Sequence, residues 1–357
     1  MKILITGGHV TPALAVIEEL KDNEVVFVGR KYALEHEQTL SFEYKEITKR
    51  NIKFIHLSTG RLNKSFSFLK IPYGFYQAYF IVQKEKPQAV LTFGSYLSVP
   101  IAWWTRFFNI PVYLHEQTSI PGRAAKLIGK FAKKVFISFP ETDMYFPKEK
   151  VLLTGNPVRK GISTIDKKPF IIDKTQPVIY ITGGSLGSHS INLHIETLLY
   201  SLLQKYIIIH QAGDTKQYND FERLVEVQKK LPENFRKKYF LRKHFSEEEI
   251  GYIYSISDLV VGRAGANTFF ELITLEKPAV FIPLPWSAEK EQQKQAEIFK
   301  TARVGEIFSQ SDQSEHLEEK IEIVINNLSK YKENFKNLKK LYKENAARTI
   351  VSEILKN

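Results

Sequence analysis

Glu271 lies one short step past the run Gly262-Arg263-Ala264-Gly265-Ala266-Asn267-Thr268, which itself follows an apolar stretch, Leu259-Val260-Val261. A buried strand, a small-residue turn and a helix N-terminus in that order make an anion site. Unpaired backbone N–H groups and the positive end of the helix dipole both face the turn. A carboxylate about one turn into the helix accepts hydrogen bonds from two vicinal hydroxyls, as a ribose offers. Gln292 and Gln295 share a face of a later helix, and amides both donate and accept, which suits sugar hydroxyls. A second turn, Gly183-Gly184-Ser185-Leu186-Gly187-Ser188, follows Val178–Thr182. Its glycines let the backbone approach a diphosphate, to which Ser185 can donate. A third, Thr6-Gly7-Gly8-His9, ends the first strand, where doubly wound sheets bind their ligands. The bland alternatives are a salt-bridged glutamate and a bystander histidine on ordinary strand–turn–helix units.

The elements that must carry these residues alternate. Strands are expected at Lys2–Ile5, Val25–Gly29, Ile52–Leu57, Ala89–Phe93, Val112–Leu114 and Lys133–Ile137, with helices between, the first over Ala13–Leu20 behind Pro12. Residues 160–176 are polar and are expected to form an interdomain linker. The pattern then restarts at Val178–Thr182, continues through Ile207–His210, and ends in a helical stretch from Glu315 to Lys356. A chain of 357 residues, 43% hydrophobic, has the material for two domains of near-equal size.

With no cysteine, disulfides, thiolate metal sites and a Cys nucleophile are excluded, in keeping with a reducing cytoplasm. No secretory leader is read at Met1-Lys2, and the longest candidate for a bilayer span, Tyr96 to Leu114, is broken by Pro100, Arg106, Asn109 and Pro111. The net charge of +12 points to an anionic partner, whether nucleic acid, an acidic lipid surface or a phosphorylated substrate, or else to a merely solvated basic surface; no nucleic-acid module is visible, so no nucleic acid is expected. Phe66, Phe68 and Leu69 lie among Lys64 and Lys70, and Trp103 and Trp104 precede Arg106. Two readings stand: core helices, or aromatics entering a membrane interface beside anionic head groups.

The quoted turns resemble those of the MurG family of glycosyltransferases. So do His115-Glu116-Gln117-Thr118, Gly155-Asn156-Pro157-Val158-Arg159 and His210-Gln211-Ala212-Gly213. Three departures mark the chain: a first glycine loop shortened to TGGH, Ser95 for a glycine in Gly94-Ser95-Tyr96, and Thr118 for an asparagine. The resemblance implies the α/β GT-B fold, two Rossmann-like doubly wound domains facing across a cleft. Residues 1–160 would form the acceptor and membrane domain, with about 340–357 packing back on it, and 161–339 the nucleotide-sugar domain. The implied reaction moves N-acetylglucosamine from UDP-N-acetylglucosamine, with inversion, to an N-acetylmuramyl-pentapeptide on undecaprenyl diphosphate. This lipid I to lipid II step belongs to peptidoglycan synthesis, at the cytoplasmic face of the cell membrane. Other cell-wall synthesis proteins are further possible partners.

By the same resemblance, His9 is the base and Glu116 its rival. Donor contacts fall to Thr6, Gly7, Gly8, Thr118, Arg159, Gly184, Ser185, Gly187, Phe245, Gly265, Ala266, Asn267, Thr268, Glu271, Gln292 and Gln295. Acceptor contacts fall to Gly8, His9, Gly94, Ser95 and Tyr96, and membrane contacts to Phe66, Phe68, Leu69, Trp103 and Trp104. No cofactor is implied. No Asp-x-Asp pair occurs, so helix N-termini rather than a metal are expected to stabilise the leaving UDP. Alternatives are a related transferase acting on another lipid such as diacylglycerol, a UDP-N-acetylglucosamine epimerase, and an inactive lipid-carrier-binding relative.

Overall fold

The computed structural model describes residues 1–357 except 33–39, 61–66, 185, 216, 288–289, 340, 342, 344 and 357, with backbone alone at 67 and 68. The chain divides into two units, Met1–Arg159 with Lys343–Asn357, and Lys160–Tyr342. The first holds strands β1 (Lys2–Thr6), β2 (Glu24–Gly29), β3 (Lys53–His56), β4 (Ala89–Thr92), β5 (Val112–Glu116), β6 (Lys134–Ile137) and β7 (Val151–Leu153). They pair in parallel in the order β3-β2-β1-β4-β5-β6-β7. Helices α1 (Val10–Glu19), α2 (Phe42–Lys49), α3 (Ile71–Glu85), α4 (Ser98–Phe107) and α5 (Arg123–Phe131) connect them. The order reverses between β1 and β4, so the carboxyl ends of these two strands flank the switch point where such sheets bind ligands. His9 follows one of them and Gly94–Tyr96 the other.

The second unit repeats the plan. Strands β8 (Val178–Thr182), β9 (Ile207–Gln211), β10 (Tyr239–Arg242), β11 (Leu259–Gly262), β12 (Ala279–Phe281) and β13 (Gly305–Ile307) pair as β10-β9-β8-β11-β12-β13, all parallel. Helices α6 (His189–Lys205), α7 (Asp220–Lys230), α8 (Glu233–Arg236), α9 (Glu247–Ile256), α10 (Ala266–Thr274), α11 (Glu291–Thr301), α12 (Ser314–Ile325) and α13 (Leu328–Glu333) belong to it. Here the switch point lies between β8 and β11, whose ends carry the second glycine loop and the turn before Glu271. Both sheets are buried on both faces, hence their near-continuous Ile, Val and Leu runs.

The last helix, α14 (Ala346–Leu355), returns to the first unit and packs on α1. Ile350, Val351 and Ile354 are buried in the same cluster as Leu14 and Ile17. Arg348 pairs with Glu19 at 3.6 Å, and Lys134 pairs with Glu353. Gly155 marks the crossing: it adopts φ +75°, and a Cβ there would lie 2.9 Å from Cβ of Lys343.

Two expectations need correction. Residues 160–176 are no free linker. Ile162 is buried, Lys167 N–H donates to the Glu248 carbonyl at 3.0 Å, and Phe170 stacks on Phe240 at 4.5 Å. Thr164 lies so close to Gly251 of α9 that a Cβ there would meet its carbonyl oxygen at 1.8 Å. Polar composition hid a few apolar anchors. Similarly, α1 begins at Val10, earlier than expected, because His9 keeps extended geometry (φ −131°) as its N-cap and Pro12 is accommodated within the first turn. Among the described residues, no helix is long and apolar enough to cross a membrane.

Candidate active site

In the first unit, three loops meet at the carboxyl ends of β1, β4 and β5. Gly8 has φ +140°, and a Cβ there would come within 2.4 Å of Cβ of Ser95. The first loop therefore rests on the Gly94–Tyr96 loop, and only glycine fits. Ser95 Oγ accepts from Leu97 N–H at 3.2 Å, shaping the second loop. His9 lies 2.6 Å, Nδ1 to Nε2, from Gln117, and burial pushes its imidazole down to about 4. At neutral pH His9 is uncharged, the form a base requires.

The side-chain amide of Gln117 sets which nitrogen is basic. With its oxygen toward the ring, Nδ1–H donates and Nε2 presents a lone pair; with its nitrogen toward the ring, the proton sits on Nε2 instead. Glu116 ends β5 and is buried. Its Oε1 accepts from Thr118 N–H at 2.9 Å and Thr118 Oγ1 at 2.7 Å. A Cβ on Gly94 would come within 3.4 Å of its Oε2. Glu116 thus holds the Gln117–Ile120 turn, and the Thr118 hydroxyl is committed to that turn. Thr6 turns inward as well, sharing a 2.7 Å hydrogen bond with Ser98. Arg159, half-buried, closes the first unit.

In the second unit, the glycine loop is held by backbone contacts. Gly187 has φ +79°, and a Cβ there would lie 2.1 Å from the Ala212 carbonyl oxygen. Gly184 also has positive φ, +86°, but faces open space. Ser185 lies outside the described residues. Gln211 Nε2 donates to the Gly184 carbonyl at 3.1 Å, and its Oε1 accepts from Phe245 N–H at 3.1 Å, so one side chain ties three segments together.

Gly265 is the N-cap of α10, and Ala266 its first residue. Glu271 is buried in that helix, where Tyr254 Oη donates to its Oε2 at 2.8 Å. Asn267 Oδ1 is buried with no hydrogen-bond partner among the described residues, and Thr268 is half-buried beside it. Gln292 Oε1 accepts from Leu284 N–H at 3.0 Å. Gln295 turns into the protein and donates to Glu291 at 3.1 Å. These two amides therefore differ in surroundings despite their spacing.

Two family models match the chain: the glycosyltransferase family 28 N-terminal domain over residues 6–137 and its C-terminal domain over 178–352. A UDP-N-acetylglucosamine–N-acetylmuramyl-(pentapeptide) pyrophosphoryl-undecaprenol N-acetylglucosamine transferase of Clostridium novyi is 33% identical, with 99% of this chain and 98% of the relative covered. A Treponema denticola protein of the same name is 32% identical over 86% of this chain and 82% of its own. The chain belongs to the MurG family of glycosyltransferases. The crystal structure of Acinetobacter baumannii MurG covers all of both chains at 25% identity and a TM-score of 0.72. A Neisseria meningitidis UDP-GlcNAc 2-epimerase, at 18% identity and a TM-score of 0.67, shares the fold alone. The fold is accordingly the GT-B fold of the MurG family, with two Rossmann-like units.

Several residues beside the MurG-like motifs escaped the sequence reading. Arg263 donates to Ser188 at 2.7 Å, Gln310 at 2.8 Å and the Ile282 carbonyl at 2.9 Å, bracing the glycine loop against the end of β12. Its place inside the GRAGAN turn was the available signal. Tyr254 gave none, and Gln117, though inside the quoted His115–Thr118 motif, gave no sign of its partner His9, because both contacts come from tertiary packing. Of the aromatic group, Phe66 and the Phe68 side chain lie outside the described residues. Trp104 turns inward: its indole N–H donates to the Phe75 carbonyl at 2.8 Å and its ring packs on Tyr79. The outward face is carried instead by Leu69, Tyr73, Tyr76, Phe80, Trp103 and Phe107, all exposed.

Proposed function

We propose that this protein moves N-acetylglucosamine from UDP-N-acetylglucosamine to N-acetylmuramyl-pentapeptide carried on undecaprenyl diphosphate, with inversion. The observation that carries this is full-length similarity to transferases of that name. The first unit takes the acceptor and the second the nucleotide sugar. His9 accepts the proton of the attacking hydroxyl, while the N-termini of α6 and α10 receive the charge on departing UDP. No metal takes part in this reading, since the chain has no Asp-x-Asp pair. The deciding assay incubates the purified protein with UDP-N-acetylglucosamine and a lipid-linked acceptor and follows UDP release and the disaccharide product. Transfer to diacylglycerol instead, or conversion of the nucleotide sugar alone to its 2-epimer, would sink it.

Glu271→Ala is expected to weaken UDP binding by about 1–3 kcal/mol, the usual cost of losing a charged hydrogen-bond partner. The check is titration calorimetry with UDP. Unchanged affinity would place the ribose elsewhere. Tyr254→Phe, which leaves the carboxylate but removes its 2.8 Å neighbour, separates orientation from contact.

The same reading places the protein peripherally on the cytoplasmic face of the membrane. The α3–α4 aromatic face enters the interface, beside Lys70, Lys84 and Arg106. Binding to anionic vesicles is expected to exceed binding to neutral ones and to fall with added salt. Trp103→Ala with Phe107→Ala should weaken both, because they carry much of the exposed apolar surface. Equal, salt-insensitive binding to both vesicle types would reject the electrostatic part, and no binding at all would reject the face.

A further inference from the structure

Arg263 is half-buried, and among the described residues no carboxylate pairs with it. Its partners are all neutral. Nη1 donates to the carbonyls of Ile282 at 2.9 Å and Pro283 at 3.3 Å. Nη2 shares its hydrogens among Ser188 Oγ at 2.7 Å, Gln310 Oε1 at 2.8 Å and Ser190 Oγ at 3.0 Å. Burial pushes the guanidinium down to about 10, which leaves it charged at neutral pH. A cation in these surroundings carries a desolvation cost that no ion pair offsets.

Gln310, in the connection between β13 and α12, joins the ends of this cradle. A guanidinium only donates, so the amide must turn its oxygen toward Arg263. The same oxygen accepts from Ser190 Oγ at 3.1 Å, and the Gln310 carbonyl accepts from His194 Nε2 at 3.1 Å. Gln310 is therefore held from α6 by its main chain while its side chain holds Arg263.

Ser188 shows what the cradle does. It is the N-cap of α6, where a serine hydroxyl ordinarily accepts from an N–H of the first turn. Here the hydroxyl accepts from Arg263 instead and makes no cap bond. The N-cap of α10 is Gly265, which has no side chain to offer, and neither helix has an acidic residue in its first turn. These helices follow β8 and β11, which are neighbours in the sheet. Positive groups thus gather at one end of the sheet, and among the described residues none is cancelled by a carboxylate from its own helix turn or cradle.

We propose that Gln310 is a positioning residue for the donor diphosphate: it holds Arg263 in place while leaving its charge uncancelled, so that the guanidinium and the uncapped N-terminus of α6 act together on the departing UDP. The proposal rests on the transferase reading above and deepens it. A glutamate at 310 would accept the same hydrogen bonds and neutralise the cation.

Gln310→Glu in the full chain is the test. UDP affinity, by calorimetry, should fall about 10-fold or more, while the thermal unfolding midpoint without ligand rises, because the new carboxylate pairs with Arg263. UDP should lose more affinity than UDP-N-acetylglucosamine, since the free nucleotide carries more negative charge, and the loss should shrink with added salt. At saturating donor, kcat should fall as well, because charge grows on the diphosphate as the bond breaks. Gln313→Glu makes the same charge change at the exposed N-cap of α12 and should leave UDP affinity near wild type.

Unchanged UDP affinity in Gln310→Glu overturns the proposal. So does a loss of affinity together with a lower unfolding midpoint, the mark of a merely structural support. An equal loss in Gln313→Glu would assign the effect to net charge and overturns it too. If the wild type transfers sugar and Gln310→Glu matches it throughout, only this inference fails. If midpoint and UDP affinity move in opposite directions but no sugar reaches the acceptor, only the transferase reading fails.

Discussion

His9→Ala is expected to lower kcat by about 10²–10⁴-fold while UDP-N-acetylglucosamine affinity stays near its starting value. The reasons are local. His9 follows β1 at the switch point of the first sheet, is held by Gln117, and is kept uncharged by burial. A base with a free-protein value of about 4 is already deprotonated at pH 7. kcat/KM should therefore hold from neutrality to about pH 5 and fall as the pH approaches that value, where protonation removes the lone pair. Gln117→Leu should also lower kcat, by less, because the imidazole loses its orienting partner but remains in place. Glu116 is the rival. Its carboxylate already receives both Thr118 donors, which favours a role in shaping the turn. Near-normal turnover in His9→Ala together with loss in Glu116→Ala would transfer the base to Glu116. A raised acceptor KM with intact kcat would reduce His9 to a binding contact.

Gly187→Ala should damage the second unit severely, and Gly184→Ala much less. Both positions have left-handed φ, which costs a residue with a Cβ about 1–2 kcal/mol. Only Gly187 also faces a carbonyl oxygen, that of Ala212, 2.1 Å from a built Cβ. Relieving that contact means moving the loop or the end of β9, a further cost of about 1–3 kcal/mol by comparison with overpacked cores. The summed penalty, about 2–5 kcal/mol, will emerge as a lower unfolding midpoint, as weaker UDP binding, or as both. Thermal unfolding and UDP calorimetry on the two variants measure the division. If Gly184→Ala and Gly187→Ala behave alike, backbone conformation dominates and the Ala212 contact is unimportant.

What could be read from the chain and what could not divides along a physical line. Apolar runs bounded by glycine announced both sheets, since strands buried on two faces leave no other composition. The turn before α6 was legible because positive φ at Gly184 and Gly187, and close backbone approach at Gly187, require glycine; the turn before α10 stood out by its small residues between an apolar strand and a helix. Interactions between distant segments were not legible. Gln117 reaches His9 across most of the first unit, Tyr254 reaches Glu271 from another helix, and Glu43 fits between Gly7 and Gly29. No local spacing predicts such pairs. The segment 160–176 was misread for the opposite reason: its composition is polar, but Ile162 and Phe170 fasten it to the second unit. Trp104 was indistinguishable from Trp103 in sequence, and only helix phase turns one inward and the other out.

The seating of α14 on α1 sets an order of events during synthesis. Ile350, Val351 and Ile354 complete a core whose other members are mostly made before residue 160. Each buried aliphatic side chain of this kind is worth about 1.5–3 kcal/mol. At about 5–20 residues per second, the ribosome spends roughly 10–40 s on residues 160–342 while that surface of the first unit stays wet. The second unit, continuous in the chain, can close as soon as it emerges. The unit begun first is therefore the one finished last, and a nascent chain cut short anywhere before residue 346 leaves α1 without its cover. Emergence of α14, rather than of the first sheet, is the moment at which this core of the first unit is complete.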